Sequence, residues 1–356
     1  MKSPLLSIIV PVYNASKSIA NLVNHILAQE VADFELILVD DGSIDDSLKI
    51  IRDLAKNDSR IIVVHKKNGG ASSARNVGLE KMHGRYVMLL DADDDIDSTM
   101  IPKLVGKIMT EKVDLVTCSI LFNHIKNGRI ISSTDAYPQP TLKQRAGESF
   151  ATYVVRLLGT DGRLYNPSNK IYRTDLIRRH HLKYEMGLDF GEDLTFNLHY
   201  LKVIRKIAFI DEPLYIYNFN IAENTSGKSS LVYANRIKNY QEVAEFAGKK
   251  QSVELVDLLG WVKYYWFYSF ALALCASPLS RKERVKRLHD ALAIDALPKP
   301  GNKQYIGRTK RRMESIFYTL RKRPGAIYRV VSLINFCKHN RTFAKIWRKF
   351  ASRLLR

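Results

Sequence analysis

The sequence predicts an α/β fold, a mostly parallel sheet flanked by helices, followed by a helical and basic C-terminal extension. Two observations carry the first part. Short apolar runs of strand length alternate with segments of helical spacing over the first 110 residues, the pattern of βαβ units. Polar clusters fall at the carboxyl ends of several of those runs, where open α/β sheets bind ligands. The third observation is charge. From Arg281 to Arg356 there are 22 Lys or Arg against Glu283, Asp290, Asp295 and Glu314, so this stretch carries +18 of the net +20.

The elements follow in order. Leu5 to Val12 is a β-branched apolar run closed by Pro11-Val12-Tyr13-Asn14 and reads as a buried strand. Ser16 to Gln29 places Ile19, Leu22, Val23, Ile26 and Leu27 at helical spacing. Phe34 to Val39 is a second strand, ending at Asp40-Asp41-Gly42-Ser43, and Asp45 to Leu54 a second helix. Ile61 to Val64 is a third strand. After the loop Asn68-Gly69-Gly70, Ala71 to Met82 is a third helix. Tyr86 to Leu90 is a fourth strand, ending at Asp91. Asp114 to Phe122 is a further strand. Phe150 to Leu158 and Asp193 to Leu201 read as helices, and Ala208 to Ile210 and Leu214 to Phe219 as two short strands. Asn224 to Ser230 is a polar loop and a boundary. The expected division is a catalytic domain over 1–225, with halves 1–110 and 111–225, and a helical region over 226–356.

Composition narrows the class. At 46% hydrophobic and 26% charged, the 356 residues suit a globular chain rather than a disordered one. Cys118, Cys275 and Cys337 are far apart and lack metal-ligand spacing, so neither a disulfide framework nor a zinc site is expected, and free thiols fit a reducing cytoplasm. The first apolar run is broken by Ser7 and Pro11 and lacks a cleavage site, so it is not read as a signal peptide.

Asp91-Ala92-Asp93-Asp94-Asp95 is the densest acidic cluster at a strand end. Carboxylates packed this closely repel one another unless a cation is present. Hard oxygen donors suit Mg²⁺ or Mn²⁺, which commonly bridges one or two carboxylates to substrate phosphates. The plainer reading is a solvated acidic loop capping the next helix. A calcium loop is rejected, because the positions that require Gly and Glu hold Ile96 and Pro102. No GxGxxG follows the first strand, and Gly227-Lys228-Ser229 lacks the earlier glycine of a P-loop, with Ala222 in its place. A nucleotide base must therefore be held otherwise, by Asp40 or Asp41 with Tyr13 nearby.

The segments SIIVPVYNASKSI, FELILVDDGSIDDS, NGGASSARNVGL and GRYVMLLDADDDI together resemble glycosyltransferase family 2 on the GT-A fold, a Rossmann-like sheet. SNKIYRTDLI and GLDFGEDLTFNLHYL extend the resemblance to about residue 220. It implies inverting transfer from a nucleoside-diphosphate sugar, usually a UDP-sugar. Pro11, Tyr13, Asp40 and Asp41 match positions that hold base and ribose. Arg75 and Asn76 match a segment beside sugar and diphosphate. Asp91 and Asp93 match the metal-binding DXD motif, with Asp94 as a substitute in that role. The residues alone allow Glu192 or Asp193 as the base that deprotonates an acceptor hydroxyl, and the family motif selects Asp193. Lys170 matches a motif position without an assigned role. There is one departure: where related sequences carry Arg or Lys and a Ser-rich loop, this chain has Asn218 and Asn224-Thr225-Ser226, leaving Lys228 as a stand-in.

Trp261 to Leu274 is strongly aromatic but short for a membrane span, and reads as a core helix of the C-terminal region. In Thr342 to Leu355, Phe343, Ile346, Trp347, Phe350 and Leu354 can share a face opposite Lys345, Arg348, Lys349 and Arg353, an interfacial pattern. The expected partners are a nucleotide-sugar donor, a glycan or lipid-linked acceptor, and an anionic membrane surface met through this basic tail, with no nucleic acid. The expected place is the cytoplasmic face of the cell membrane. A metal-dependent nucleotidyltransferase is the rival enzyme, but it would want a Gly-rich basic loop where Pro11-Val12-Tyr13-Asn14 stands. A basic nucleic-acid-binding protein is the non-enzymatic rival.

Overall fold

The computed structural model describes residues 3–31, 33–137, 141–159, 162–188, 191–220, 233–248, 252–301 and 315–339. The chain divides into two compact units: residues 1–143, 161–188 and 192–224 form the first, and 144–160, 189–191 and 225–356 the second. The polar loop Asn224 to Ser230, with Lys228, and the tail Thr342 to Arg356 lie outside the described residues.

In the first unit, the strands β1 (Leu6–Val12), β2 (Phe34–Asp40), β3 (Ile61–His65) and β4 (Tyr86–Leu89) run parallel in the order β3-β2-β1-β4. Every residue of β2 is buried, as is nearly all of β1, which explains the unbroken apolar runs: helices cover both faces, so no alternation is needed. The connecting helices are α1 (Ile19–Leu27), α2 (Ser47–Asn57) and α3 (Ala71–Lys81). α1 buries Ile19, Leu22, Val23 and Ile26, the stripe its spacing predicted. α3 lies against β1 so closely that a Cβ on Gly78 would stand 2.2 Å from Cγ2 of Ile9.

Beyond β4 the sheet turns mixed. It continues through β8 (Lys170–Arg173), β6 (Leu115–Lys126), β9 (Ile207–Asn220) and the short β5 (Asp95–Ile96). β8 is antiparallel to both of its neighbours. β9 runs parallel to β6 over its whole length, so the two short strands expected near 208 and 214 are one strand. Their apparent break is a shift of register around Asp211 to Pro213. β7 (Arg129–Asp135) pairs with β6 alone. The helices α4 (Met100–Glu111), α6 (Thr174–Arg179) and α7 (Glu192–Val203) complete this unit.

The register brings the strand ends together. Val12 aligns with Asp40, and Asp40 with His65. β4 aligns its Leu89 with Ile9, and Leu90 N–H then bonds Ile9 O at 3.0 Å, so Asp91 emerges at the same edge. The polar clusters of the sequence thus share one rim of the sheet.

The second unit is helical in its described parts: α5 (Phe150–Leu158), α8 (Tyr233–Ala247), α9 (Val253–Ala276), α10 (Arg281–Ile294) and α11 (Pro324–His339). Ser149, Ser252 and Ser280 cap α5, α9 and α10, each accepting from a backbone N–H three residues on. α9 is the aromatic helix. Trp261, Tyr264, Trp266, Phe267 and Phe270 are buried, with Tyr264 O–H bonding Pro298 O at 2.6 Å and Trp261 Nε1 bonding Gly159 O at 2.8 Å. It is the core helix the sequence suggested. Among the described residues no helix is long and apolar enough to cross a membrane.

Candidate active site

Three features build the site at the rim of the first unit: the loop after β4, the helix α3 and the start of α7. Arg75, on the buried side of α3, is their centre. Its Nη2 donates to Asp91 Oδ1 at 2.6 Å, and its Nη1 lies 3.1 Å from Asp193 Oδ1 in the first turn of α7. The guanidinium sits 5.2 Å from the ring centroid of Tyr184, which itself stacks on Phe196 at 4.4 Å. Burial works against the charge of Arg75, but Asp193 and Asp91 outweigh it and hold its pKa further above the usual arginine value.

The acidic loop separates its carboxylates by environment. Asp91 spends both oxygens, Oδ1 on Arg75 and Oδ2 on the Ser168 hydroxyl at 2.8 Å. Asp94 is buried: the Tyr215 hydroxyl donates to its Oδ2, and Asn218 N–H donates to its Oδ1 at 2.9 Å. Burial, then the charges of Asp91 and Asp93, push Asp94 well above the carboxylate range despite those two bonds. Asp93 projects outward, and desolvation by the surrounding protein together with the charge of Asp91 raises it as well. The charge of Asp91 thus raises Asp93, and the charges of both raise Asp94, a like-charge group of hard oxygens that a divalent cation relieves. The residues present therefore fit a metal held by Asp91 and Asp93, while Asp94 is committed to Tyr215 and Asn218.

Asp193 is the candidate base. Burial pushes its carboxyl up, Glu192 and Asp91 add to that, and Arg75 pulls the other way. Its Oδ1 meets Arg75 as an ion pair and has no hydrogen-bond partner of good geometry among the described residues. Glu192 precedes it as the first residue of α7 and is half-buried.

The remaining expected residues form a second cluster along the rim. Asp40 is fully buried: its Oδ2 takes His65 Nδ1 at 2.7 Å and Ser43 N–H at 3.3 Å, and its Oδ1 has no partner among the described residues. Asp41 is occupied. It accepts from Lys66 Nζ at 2.5 Å, from Gly69 N–H at 3.0 Å and from Gly70 N–H at 2.7 Å, closing the loop ahead of α3. Tyr13 is half exposed beside Asn14, whose left-handed backbone (φ 51°) is locked by its side chain to Ile44 N–H at 2.9 Å. Pro11 lies within β1, opposite Val39. Asn76 follows Arg75 on α3. Its carboxamide exchanges bonds with the backbone of Tyr184 at 2.8 and 2.9 Å, fixing the segment under Arg75. Lys170 is fully buried in β8, its ammonium bonding Arg163 O at 2.5 Å and Asn169 Oδ1 at 2.7 Å, a structural post behind Ser168.

Sequence reasoning gave no role to Ser168, Tyr184 or Tyr215, and met Asn218 only as a departure from related sequences. Tyr215 and Asn218 sit on a segment whose only sequence signal is strand character, and nothing in it marks a hydroxyl meeting Asp94. Ser168 heads the SNK segment and was within reach.

A sequence profile described as Glycosyl transferase family 2 matches residues 7–180. The chain is 30% identical over 310 residues to an uncharacterized glycosyltransferase, EpsJ, of Bacillus subtilis, covering 82% of this chain and 84% of that one. The chain belongs to glycosyltransferase family 2. As a family 2 protein it is a glycosyltransferase, and its GT-A fold is shared with solved structures. S. aureus TarS 1–349 in complex with UDP superposes with a TM-score of 0.62 at 20% identity, covering 94% of this chain and 92% of that one. A mannosyltransferase from Pyrobaculum calidifontis, in complex with GDP-Man and Mn²⁺, gives 0.51 at 15% identity, covering 90% and 88%.

Proposed function

We propose that this family 2 glycosyltransferase moves a sugar, with inversion, from a UDP-sugar to a hydroxyl of a glycan or lipid-linked acceptor in bacterial surface polysaccharide assembly. The observation that carries the reading is the Arg75 bridge, which sets the DXD residue Asp91 and the candidate base Asp193 on one guanidinium. A site for a single displacement needs a charged group for the leaving diphosphate and a carboxylate for the incoming hydroxyl, close together but on different elements.

Asp91 and Asp93 would hold Mn²⁺ or Mg²⁺, which supplies Lewis-acid neutralisation of the departing diphosphate. The neighbour solved with Mn²⁺ and GDP-Man supports that metal choice. Asp193 removes the proton from the acceptor hydroxyl at its carboxylate, with Glu192 beside it. Arg75 orients Asp193 and favours its ionised form against the burial that opposes it. Asp40 offers a buried acceptor oxygen, Oδ1, to a base N–H, Tyr13 offers its exposed ring to the base, and Pro11 shapes the strand end beneath. The neighbour solved with UDP supports uracil as that base. The +18 carried by Arg281 to Arg356 supports attachment to the anionic inner face of the cell membrane.

The test is transfer and donor hydrolysis from a panel of UDP-sugars, with Mn²⁺ and with chelator, for the parent chain, Asp93→Ala and Asp193→Asn. Turnover that survives chelation and both substitutions undiminished overturns the mechanism. Deleting Thr342 to Arg356 should move the protein from the membrane pellet to the soluble fraction, and an unchanged partition removes the tail as an anchor.

A further inference from the structure

The β6–β7 hairpin ends in an apolar, cationic tip that no part of the proposed reaction uses. Its turn, Asn127-Gly128, has positive φ at both residues (51° and 71°), the geometry of a tight two-residue reversal. Lys126 and Arg129 face each other across this turn. Both are exposed, and neither has an ion-pair partner among the described residues. Behind them Ile125 pairs with Ile130, and a register shift leaves Ile131 as an extra residue beside that pair. Ile130 is 59% exposed and Ile131 56%. Two adjacent isoleucines this open, at the end of a strand and ringed by unpaired cations, are an unusual surface for a chain in water.

The hairpin is tied to the acidic loop. Asn218, whose N–H holds Asp94, accepts from Asn123 Nδ2 at 3.2 Å, and Ser133 Oγ donates to Asn123 Oδ1 at 2.7 Å. A polar ladder thus crosses β9, β6 and β7 next to the site. Residues two apart on a strand share a face, so Ile125 continues the face of Asn123 toward the tip. The turn lies four residues beyond Asn123, about 13 Å at strand rise.

We propose that this tip is a contact with an anionic lipid bilayer. Ile130 and Ile131 enter the interface, and Lys126 and Arg129 meet the phosphate headgroups. Apolar residues flanked by cations are the chemistry an anionic leaflet selects, and the four residues lie within one hairpin end. The contact would present the rim beside Asp93 and Asp94 to the membrane surface, where a lipid-linked acceptor resides. In that respect it deepens the proposed function, while the contact itself stands on the hairpin alone.

The full chain is tested by sedimentation with vesicles of phosphatidylglycerol and phosphatidylcholine, and with phosphatidylcholine alone. Lys126→Glu with Arg129→Glu is expected to weaken binding to the anionic vesicles at least about tenfold, since each cation near such a surface contributes about fivefold. Ile130→Ser with Ile131→Ser is expected to weaken binding to a similar degree, with UDP-sugar hydrolysis unchanged in both variants. In Ile131→Trp, emission should shift to the blue on adding vesicles and be quenched by brominated acyl chains beyond the parent's response. Unchanged affinity in both double variants with no spectral shift overturns the proposal, as does a parent chain that ignores anionic vesicles. A vesicle-free dimer abolished by the isoleucine substitutions also overturns it, assigning the tip to a second copy. Transfer to a soluble acceptor reports separately on the reaction.

Discussion

Arg75 Nη1 and Asp193 Oδ1 are 3.1 Å apart, and the other terminal nitrogen of the same guanidinium bonds Asp91 at 2.6 Å. One cation on α3 therefore contacts the candidate base and a candidate metal ligand together. Substitution of Asp193 by Asn keeps the shape and removes the base. Transfer should fall by about 10²–10⁴-fold. UDP affinity, measured by calorimetry, should stay within about twofold of the parent.

The pH dependence follows from the same pair. The Asp193 carboxyl is pushed up to about 7, by burial first and by Glu192 and Asp91, against the pull of Arg75. A base acts only when ionised, so the single-turnover rate should fall with unit slope as pH drops through that value. Arg75→Met removes the group that lowers the pKa, so the acid limb should move to higher pH. An unmoved limb would separate Arg75 from the base.

Asp93 is the exposed carboxylate of the acidic loop, and its removal tests the metal. In Asp93→Ala the Mn²⁺ concentration for half-maximal rate should rise at least about tenfold, because even outer partners of metal ligands are worth that much. A Mn²⁺ titration of donor hydrolysis reads the shift.

Tyr215→Phe leaves Asp94 Oδ2 buried without its donor. An unsatisfied buried polar group costs about 1–3 kcal/mol, and denaturant unfolding should show a loss in that range. A loss near zero would mean that Asp94 is protonated and finds another partner.

Gly78 is the point where α3 meets β1, and a methyl group there would come within 2.2 Å of Ile9 Cγ2. Gly78→Ala should destabilise the first unit by about 1–3 kcal/mol. It should also lower activity by displacing Arg75, one turn earlier on the same helix. Stability loss with full activity would show that α3 recovers its place.

The parallel half of the sheet was legible because burial on both faces leaves strands as plain apolar runs, and their polar ends mark the rim. The acidic cluster Asp91 to Asp95 stood out for the same reason, at a strand end, whereas Asp193 was singled out from Glu192 by the family motif alone. The mixed half was legible only in part: the strand over Asp114 to Phe122 was expected, while β7 and β8 were not. β9 is interrupted by Asp211-Glu212-Pro213, and a bulged strand looks like two short ones when only alternation is read. The hairpin carried its signal in Asn127-Gly128, but β7 is exposed along its length and offers no apolar period. Tyr184 and Tyr215 act through contacts more than 100 residues away in sequence, which no local pattern encodes. Asn76 was matched by its motif to a segment beside sugar and diphosphate, and its amide bonds to Tyr184 are a contact that the motif does not encode.

Asp41 answers the amides of Gly69 and Gly70, the two residues ahead of α3, with a carboxylate of its own. In many nucleotide-binding loops such amides stay vacant for a phosphate. Here the two loop amides ahead of the helix are already taken by Asp41, so an incoming diphosphate does not find them vacant. With a divalent ion to balance that charge, stripping such ions should cost the protein its grip on the donor as well as its speed.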